Sequence, residues 1–526
     1  MYNFSIANYT PTVISFSLLI AGLILYLVYY FERKFSYWDK YGVPQVRPVW
    51  FFGNIMDQVL LRSPAVFVEQ DIYNKLSGHK LGGFYSMSKP ILMLRDPELI
   101  RICLIKSFGH FHDRDIPFDP KDDPLSESLF VQRGQRWRAV RHKKAPAFST
   151  SKLRTTVDAL QVCVQELDDF LTAAIAAGSS GGLMNLTELM AKFAVDLMAS
   201  FTFGIQCNTL RNGHSEFKRI GRDVFKGNNQ SLFWSLVQLA RPKLVSVDRS
   251  AQKQDQEWFM SLMREEATKR AMDREKRTDY FQFILNLQAD ELKKMQSSSH
   301  REESGDSDDS PVLTDIAVAA SMYSQITLAP TPIAHFFTHC LYELALNPAV
   351  FQKMRDEVDS VKKEYDDILN YDALRKLEYM EMVISETLRK HPSFPSLNRI
   401  CTEPFQIPGT SIIIKEGTSI FVPTYALHHD PDYFPEPETF WPERFSKENA
   451  GSIKPGSFLA FGIGPRGCMA ERFSRFEIKS VLALVVSKFT LHPTEKTMIP
   501  LAYDCRGLGL SPKEDIWVQF KMRQVT

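Results

Sequence analysis

From Val13 to Phe31 the chain reads VISFSLLIAGLILYLVYYF, with no charged residue. As a helix rising about 1.5 Å per residue, that run spans about 28 Å of hydrocarbon. No Lys or Arg precedes it and Glu32, Arg33 and Lys34 follow at once. Charge asymmetry therefore predicts a membrane anchor over 13–31, a short lumenal segment over 1–12 and a body on the cytosolic side. The basic n-region and small-residue cleavage site of a secretory signal are missing. Asn3 and Asn8 match the glycosylation sequon but sit too near the bilayer to be used. A connector over 32–54 carries Pro44 and Pro48, which forbid a continuous helix. Past it, FYSMSKPILMLRDPELI (84–100) reads as a β-hairpin feeding a helix after Asp96-Pro97. Residues 151–295 repeat apolar positions at three- and four-residue spacing, the mark of amphipathic helices. The polar, acidic run 296–310 predicts a disordered surface loop. Helical patterns resume through LTDIAVAASMYSQI and AHFFTHCLYELAL, and another helix starts at Asn347-Pro348. Short β pieces follow (IIIKEGTSIFVPT, 412–424), then a last helix near 469–488 and a terminal β region. The pattern describes one mainly helical body over 55–526 with small β-sheets, behind an N-terminal transmembrane helix.

One stretch breaks the helical pattern from inside. Residues 327–337 read TLAPTPIAHFF, with prolines at 330 and 332 in a helical, apolar context. A proline in a helix interior costs about 3 kcal/mol, because it removes a hydrogen bond and clashes with the preceding turn. Pro330 frees the carbonyl of Ile326, and Pro332 that of Leu328.

Composition narrows the classes. A formal charge of +1 over 526 residues excludes the basic excess of a nucleic-acid binder. Seven dispersed cysteines without a CxxC pair form neither a disulfide framework nor a zinc site, and fit a reducing compartment.

The chemistry concentrates in SFLAFGIGPRGCMAERFSRFEIKSVLAL (457–484). A lone cysteine is ordinarily a small buried hydrophobe. Cys468, however, ends a loop built from Gly462, Gly464, Pro465 and Gly467, at the point where an amphipathic helix begins. Free backbone N–H groups and the positive helix end favour a thiolate there, and Arg466 adds charge. A thiolate on a glycine loop suits a single soft-metal bond, because backbone can approach a flat cofactor closely. FGIGPRGCMA resembles the haem-binding loop of the cytochrome P-450 monooxygenases, and LYELALNP and FGHFHDR (108–114) resemble the insect microsomal branch. The resemblance implies haem b (iron protoporphyrin IX) with Cys468 as axial iron ligand, Arg466 as a propionate partner and Phe461 beside the sulfur. Ala470 departs from the family's usual glycine.

Other motifs stand in the family's order. SETLRKHP (385–392) puts Glu386 and Arg389 on one helix face, a spacing that Glu98–Arg101 also meets. FWPERF (440–445) resembles the segment that brings a second arginine, Arg444, to that pair. Trp137 and Arg141 in GQRWRAVRHKK, and Arg399 in SLNRIC, match propionate-binding positions. Arg138, Lys143 and Lys144 form either a basic patch for an acidic, NADPH-fed flavoprotein reductase or a solvated helix face.

The family's distal helix usually carries an acid followed by an alcohol, which pass protons to dioxygen. Counted back from LYELALNP, those positions hold Thr331 and Pro332. Thr331 remains as a candidate catalytic hydroxyl, and His335, one turn on, reads as ordinary helix packing. Three readings follow. The first is a membrane-bound monooxygenase of the endoplasmic reticulum oxidising a small apolar substrate. The second is a haem-thiolate isomerase or dehydratase of lipid peroxides that needs no NADPH. The third is a degenerate haem binder, against which the cysteine loop stands intact.

Overall fold

The computed structural model describes residues 10–116, 123–155, 157–178, 181–212, 250–272, 277–298, 313–365, 367–507 and 509–524. Asn3 and Asn8, and most of the polar run 296–310, lie outside them. Helix α1 (Thr10–Phe35) holds the apolar run and ends in Arg33 and Lys34. It is the one helix among the described residues long and apolar enough to cross a membrane, and that segment is almost entirely exposed. Its last turn is different. Phe31 and Phe35 are buried in a cluster with Trp38 and Tyr85, and the Tyr85 hydroxyl lies 2.8 Å from the Phe35 carbonyl. Helix α1 is thus fastened to the body by a plug of aromatic side chains.

The expected hairpin forms from β1 (Leu81–Ser86) and β2 (Lys89–Leu94). The helical turn Pro97–Arg101 follows, capped by the Asp96 carboxylate accepting from Leu99 N–H at 2.9 Å. Of the remaining strands, β3 is Leu183–Asn185, β4 Leu397–Ile400, β5 Phe405–Gln406 and β6 Ile413–Ile414. The last three are β7 (Ser419–Val422), β8 (Phe489–His492) and β9 (Trp517–Met522). One sheet runs β1-β2-β7-β4, and its single parallel pair, β2 with β7, joins the N-terminal hairpin to the C-terminal third of the chain. In β4, Arg399 pairs with Ile420 of β7, and Ile400 N–H donates to Asp113 O at 2.9 Å. Two segments distant in sequence, 110–114 and 397–401, are thereby held side by side.

The body is helical. The helices used below are α2 (Gly134–Lys144), α3 (Val157–Ala176), α4 (Leu186–Phe203), α5 (Asp315–Thr327) and α6 (Pro330–Leu346), then α7 (Pro348–Glu364), α8 (Glu378–Lys390) and α9 (Glu471–Lys488). Helices α3, α4 and α6 to α9 bury their apolar faces in one core that includes Phe193, Phe337, Leu341, Met380 and Val481. Between α5 and α6 the prolines act as the sequence implies. The first helix stops at Thr327, and a new one starts with Pro330 in its first turn. There the missing N–H has no partner to lose, so the cost of an interior proline falls away. The chain has two helices meeting at Leu328 and Ala329 where the pattern suggested one.

Candidate active site

That break faces the cysteine loop across a cavity of about 360 Å³. Ser324, Leu328, Ala329, Pro332 and Ile333 line it from the helix side, and Phe461, Gly467, Cys468 and Ala470 from the loop side. The loop owes its shape to backbone constraints. Cys468 N–H donates to Phe461 O at 2.8 Å, and Gly467 N–H to Gly464 O at 2.9 Å. Gly464 has φ +72°, and a Cβ there would stand 2.2 Å from Leu104 O, so no other residue fits. Ala470 precedes α9 directly, as its N-cap.

The Cys468 sulfur is exposed only in the sense that it faces the cavity; protein surrounds it otherwise. That burial raises its pKa, while the Ala470 backbone N–H and the charges of Arg141 and Arg114 pull it down. Arg466, expected to supply the charge, points elsewhere. Its guanidinium lies 3.9 Å over the Trp137 ring and donates to the carbonyls of His112 and Gln132, both at 2.7 Å.

Around the cavity Arg114, Arg141, Arg399 and Arg466 converge. Arg114 is held well below its ordinary pKa by burial and by the other three arginines. Burial, with Arg399 next, pushes Arg466 down to about 9, and burial brings Arg399 to about 10. Among the described residues the carboxylate paired with one of these four cations is Asp113, 3.4 Å from Arg466. Glu477, buried in the cavity wall, is pushed well above the usual carboxylate range by burial. Arg399 Nε is buried without a hydrogen-bond partner among the described residues. Such a cage destabilises itself unless a ligand brings negative charge. A flat macrocycle with two carboxylates and a metal seeking a thiolate fits this set of groups. Trp137, Arg141, Arg399, Phe461, Arg466 and Cys468, chosen from the sequence, all line the one cavity. Arg114 was missed as a site residue although it closes the FGHFHDR run.

The supporting cluster also assembles. Arg389 Nε and Nη2 each donate to the Glu386 carboxylate at 2.8 Å, with both side chains wholly buried. Arg444 Nε approaches the same carboxylate at 3.4 Å, and Trp441 N–H donates to it at 3.0 Å. Glu98–Arg101, of equal spacing, is an exposed pair. A residue without a motif links the cluster to the cysteine loop. His428 Nε2 accepts from Leu459 N–H at 2.9 Å, which leaves Nδ1 to donate to Arg389 O at 3.0 Å. Burial and the nearby Arg389 push its pKa down to about 3, so the ring bridges as a neutral imidazole.

Two expectations need correction. Lys144 does not form part of a surface patch: it is buried and donates to Ser321 Oγ on α5. Lys143 is half-buried and paired with Glu291. Of the three cations only Arg138 is freely exposed. Thr331 does not line the cavity, and its hydroxyl is buried without a partner among the described residues.

Residues 43–518 match the family model for cytochrome P450. The chain is 31% identical to "Probable cytochrome P450 6a14" of Drosophila melanogaster, over 96% of this chain and 99% of the relative. It is 32% identical to "Cytochrome P450 9e2" of Blattella germanica, over 97% and 98%. The chain belongs to the cytochrome P450 family, the haem-dependent monooxygenases.

Proposed function

We propose that the protein is a membrane-anchored monooxygenase that inserts one atom of dioxygen into a small apolar substrate of xenobiotic, steroid or fatty-acid type. The observation that carries this reading is the pairing, in one apolar-walled cavity, of the Cys468 loop with four converging arginines, of which Arg466 alone meets a carboxylate among the described residues. Cys468 would ligate the haem iron. Arg141, Arg399 and Arg114 would hold the propionates, with Trp137 and Arg466 backing them and Phe461 packing beside the sulfur. Glu386, Arg389 and Arg444 would keep the loop in place through His428. The haem would supply the chemistry of oxygen activation. Leu328, Ile333 and Phe394 would give the substrate an apolar bed that excludes water.

Electrons would come from NADPH through a flavoprotein reductase docking near Arg138, on the helix beside the arginine cage. Helix α1, with Arg33 and Lys34 at its end, fits an anchor in the endoplasmic reticulum membrane with the body in the cytosol. The proline-interrupted helix favours one second reading, a peroxide isomerase or dehydratase, since such a reaction needs no proton relay to dioxygen. Vesicles holding the protein and a reductase decide between them. Oxygen-dependent NADPH consumption is expected; conversion of an added fatty-acid hydroperoxide without NADPH, and no NADPH consumption, would establish the second reading.

A further inference from the structure

The cavity wall at the helix break carries a hydroxyl that no motif marks. Ser393, just past the end of α8, lines the cavity beside Pro332. Its Oγ is 3.2 Å from Pro332 O and 3.4 Å from His335 Nδ1. A hydroxyl has one proton to give and lone pairs to receive another. While it donates to the Pro332 carbonyl, its oxygen accepts from His335 Nδ1–H; once it turns, the proton is free for an acceptor in the cavity.

Behind His335 lies a polar chain inside an otherwise apolar core. The His335 and His339 ring centroids lie 4.0 Å apart and those of His339 and His391 4.7 Å apart, both pairs tilted. His339 Nδ1 donates to His335 O at 2.8 Å, so its Nε2 is bare, buried and without a partner among the described residues. His391 Nε2 is 2.7 Å from Glu343 Oε1, and its Nδ1 is 3.0 Å from the Tyr503 hydroxyl. Lys390 Nζ, partly exposed, is 2.9 Å from the same Glu343 oxygen. Burial and the neighbouring His391 push His335 down to about 3, so it stays neutral and holds one proton on its two nitrogens. Burying His339, His391 and Glu343 costs free energy that hydrocarbon packing would not.

The geometry points to Ser393 as the proton-delivering hydroxyl at the helix break, with His335 positioned behind it to orient that hydroxyl and stabilise its oxygen when the proton leaves. One proton leaves Ser393 Oγ for the acceptor in the cavity. His335 Nδ1–H, hydrogen-bonded to Oγ, stabilises the oxygen left behind until a proton from solvent entering the cavity replaces the one given. This inference rests on the monooxygenase reading, and it gives the acid–alcohol position, here Thr331–Pro332, a substitute from the segment that follows α8.

The test uses the full chain in vesicles with a flavoprotein reductase, NADPH and dioxygen, without added substrate. S393A is expected to raise peroxide released per NADPH toward one and to change the solvent deuterium isotope effect on NADPH consumption. S393T, which keeps the hydroxyl, should restore both, and T331A should leave both as in the wild type. A second readout needs no turnover: in the resting, 15N-histidine-labelled protein, S393A should move the His335 Nδ1 resonance and S393T should return it. Wild-type peroxide yield and isotope effect in S393A, or their loss in T331A instead, would overturn the proposal. A wild-type protein that consumes no NADPH would overturn the monooxygenase reading, and this inference with it.

Discussion

Arg389 and Glu386 show how much depends on single buried charges. Each satisfies the other through two hydrogen bonds at zero exposure, and the carboxylate also receives Trp441 N–H. Removing one partner leaves an uncompensated buried ion, which costs about 3–5 kcal/mol. R389A is therefore expected to unfold at markedly lower denaturant and to be recovered without haem, as urea titration and the Soret-to-protein absorbance ratio would show. His428 makes a smaller, sharper test. H428F keeps the aromatic volume but orphans Leu459 N–H, for about 1–3 kcal/mol. Haem should dissociate faster from that variant while the helical circular dichroism stays unchanged. Lys144 predicts a pH dependence. Burial lowers its pKa to about 8 in the native state, against about 10.4 in the unfolded chain. Between those values the unfolded state binds more protons, so this group makes stability rise with pH, by up to about 3 kcal/mol. K144M should lose that rise, measured by unfolding at pH 7.5 and 10; an unchanged slope would place Lys144 in solvent.

At the scale of elements, the interrupted helix is the clearest case. Pro330 occupies the first position of α6 and Pro332 the same first turn. P330A and P332A are expected to change stability by less than about 1 kcal/mol in urea unfolding. A gain near the full interior-proline cost of about 3 kcal/mol would mean that the two helices are one strained helix. Helix α2 carries a lesson in reading faces. Trp137, Val140 and Lys144 are all buried, at spacings of three and four. Lys144 is expected beside Arg138 on an exposed face, yet its spacing from Trp137 and Val140 puts it on the buried stripe. The charge of the lysine obscured what its position already implied.

For the molecule as a whole, what was legible followed from local chemistry. The cysteine loop could be read because Gly464 and its neighbours exclude helix and strand, and helix α1 because its uncharged apolar run is long enough to cross a bilayer. The hairpin and its Asp96 cap were legible from turn and capping chemistry. What stayed hidden depends on segments that only the tertiary fold brings together. Arg114 joins the cage because β4 lies against the 110–114 segment, a pairing across almost three hundred residues. His428 matters only because Arg389 and Leu459 end on opposite sides of its ring. Ser393 gains its place from the break in another helix.

The central claim is that Cys468 holds haem through its sulfur, and the most direct test is the carbon monoxide difference spectrum of the reduced, full-length protein. The red-shifted Soret band of thiolate-ligated haem is expected in the wild type and should be lost in C468H. A band at the position of imidazole-ligated haem in the wild type, or no haem at all, would contradict the account.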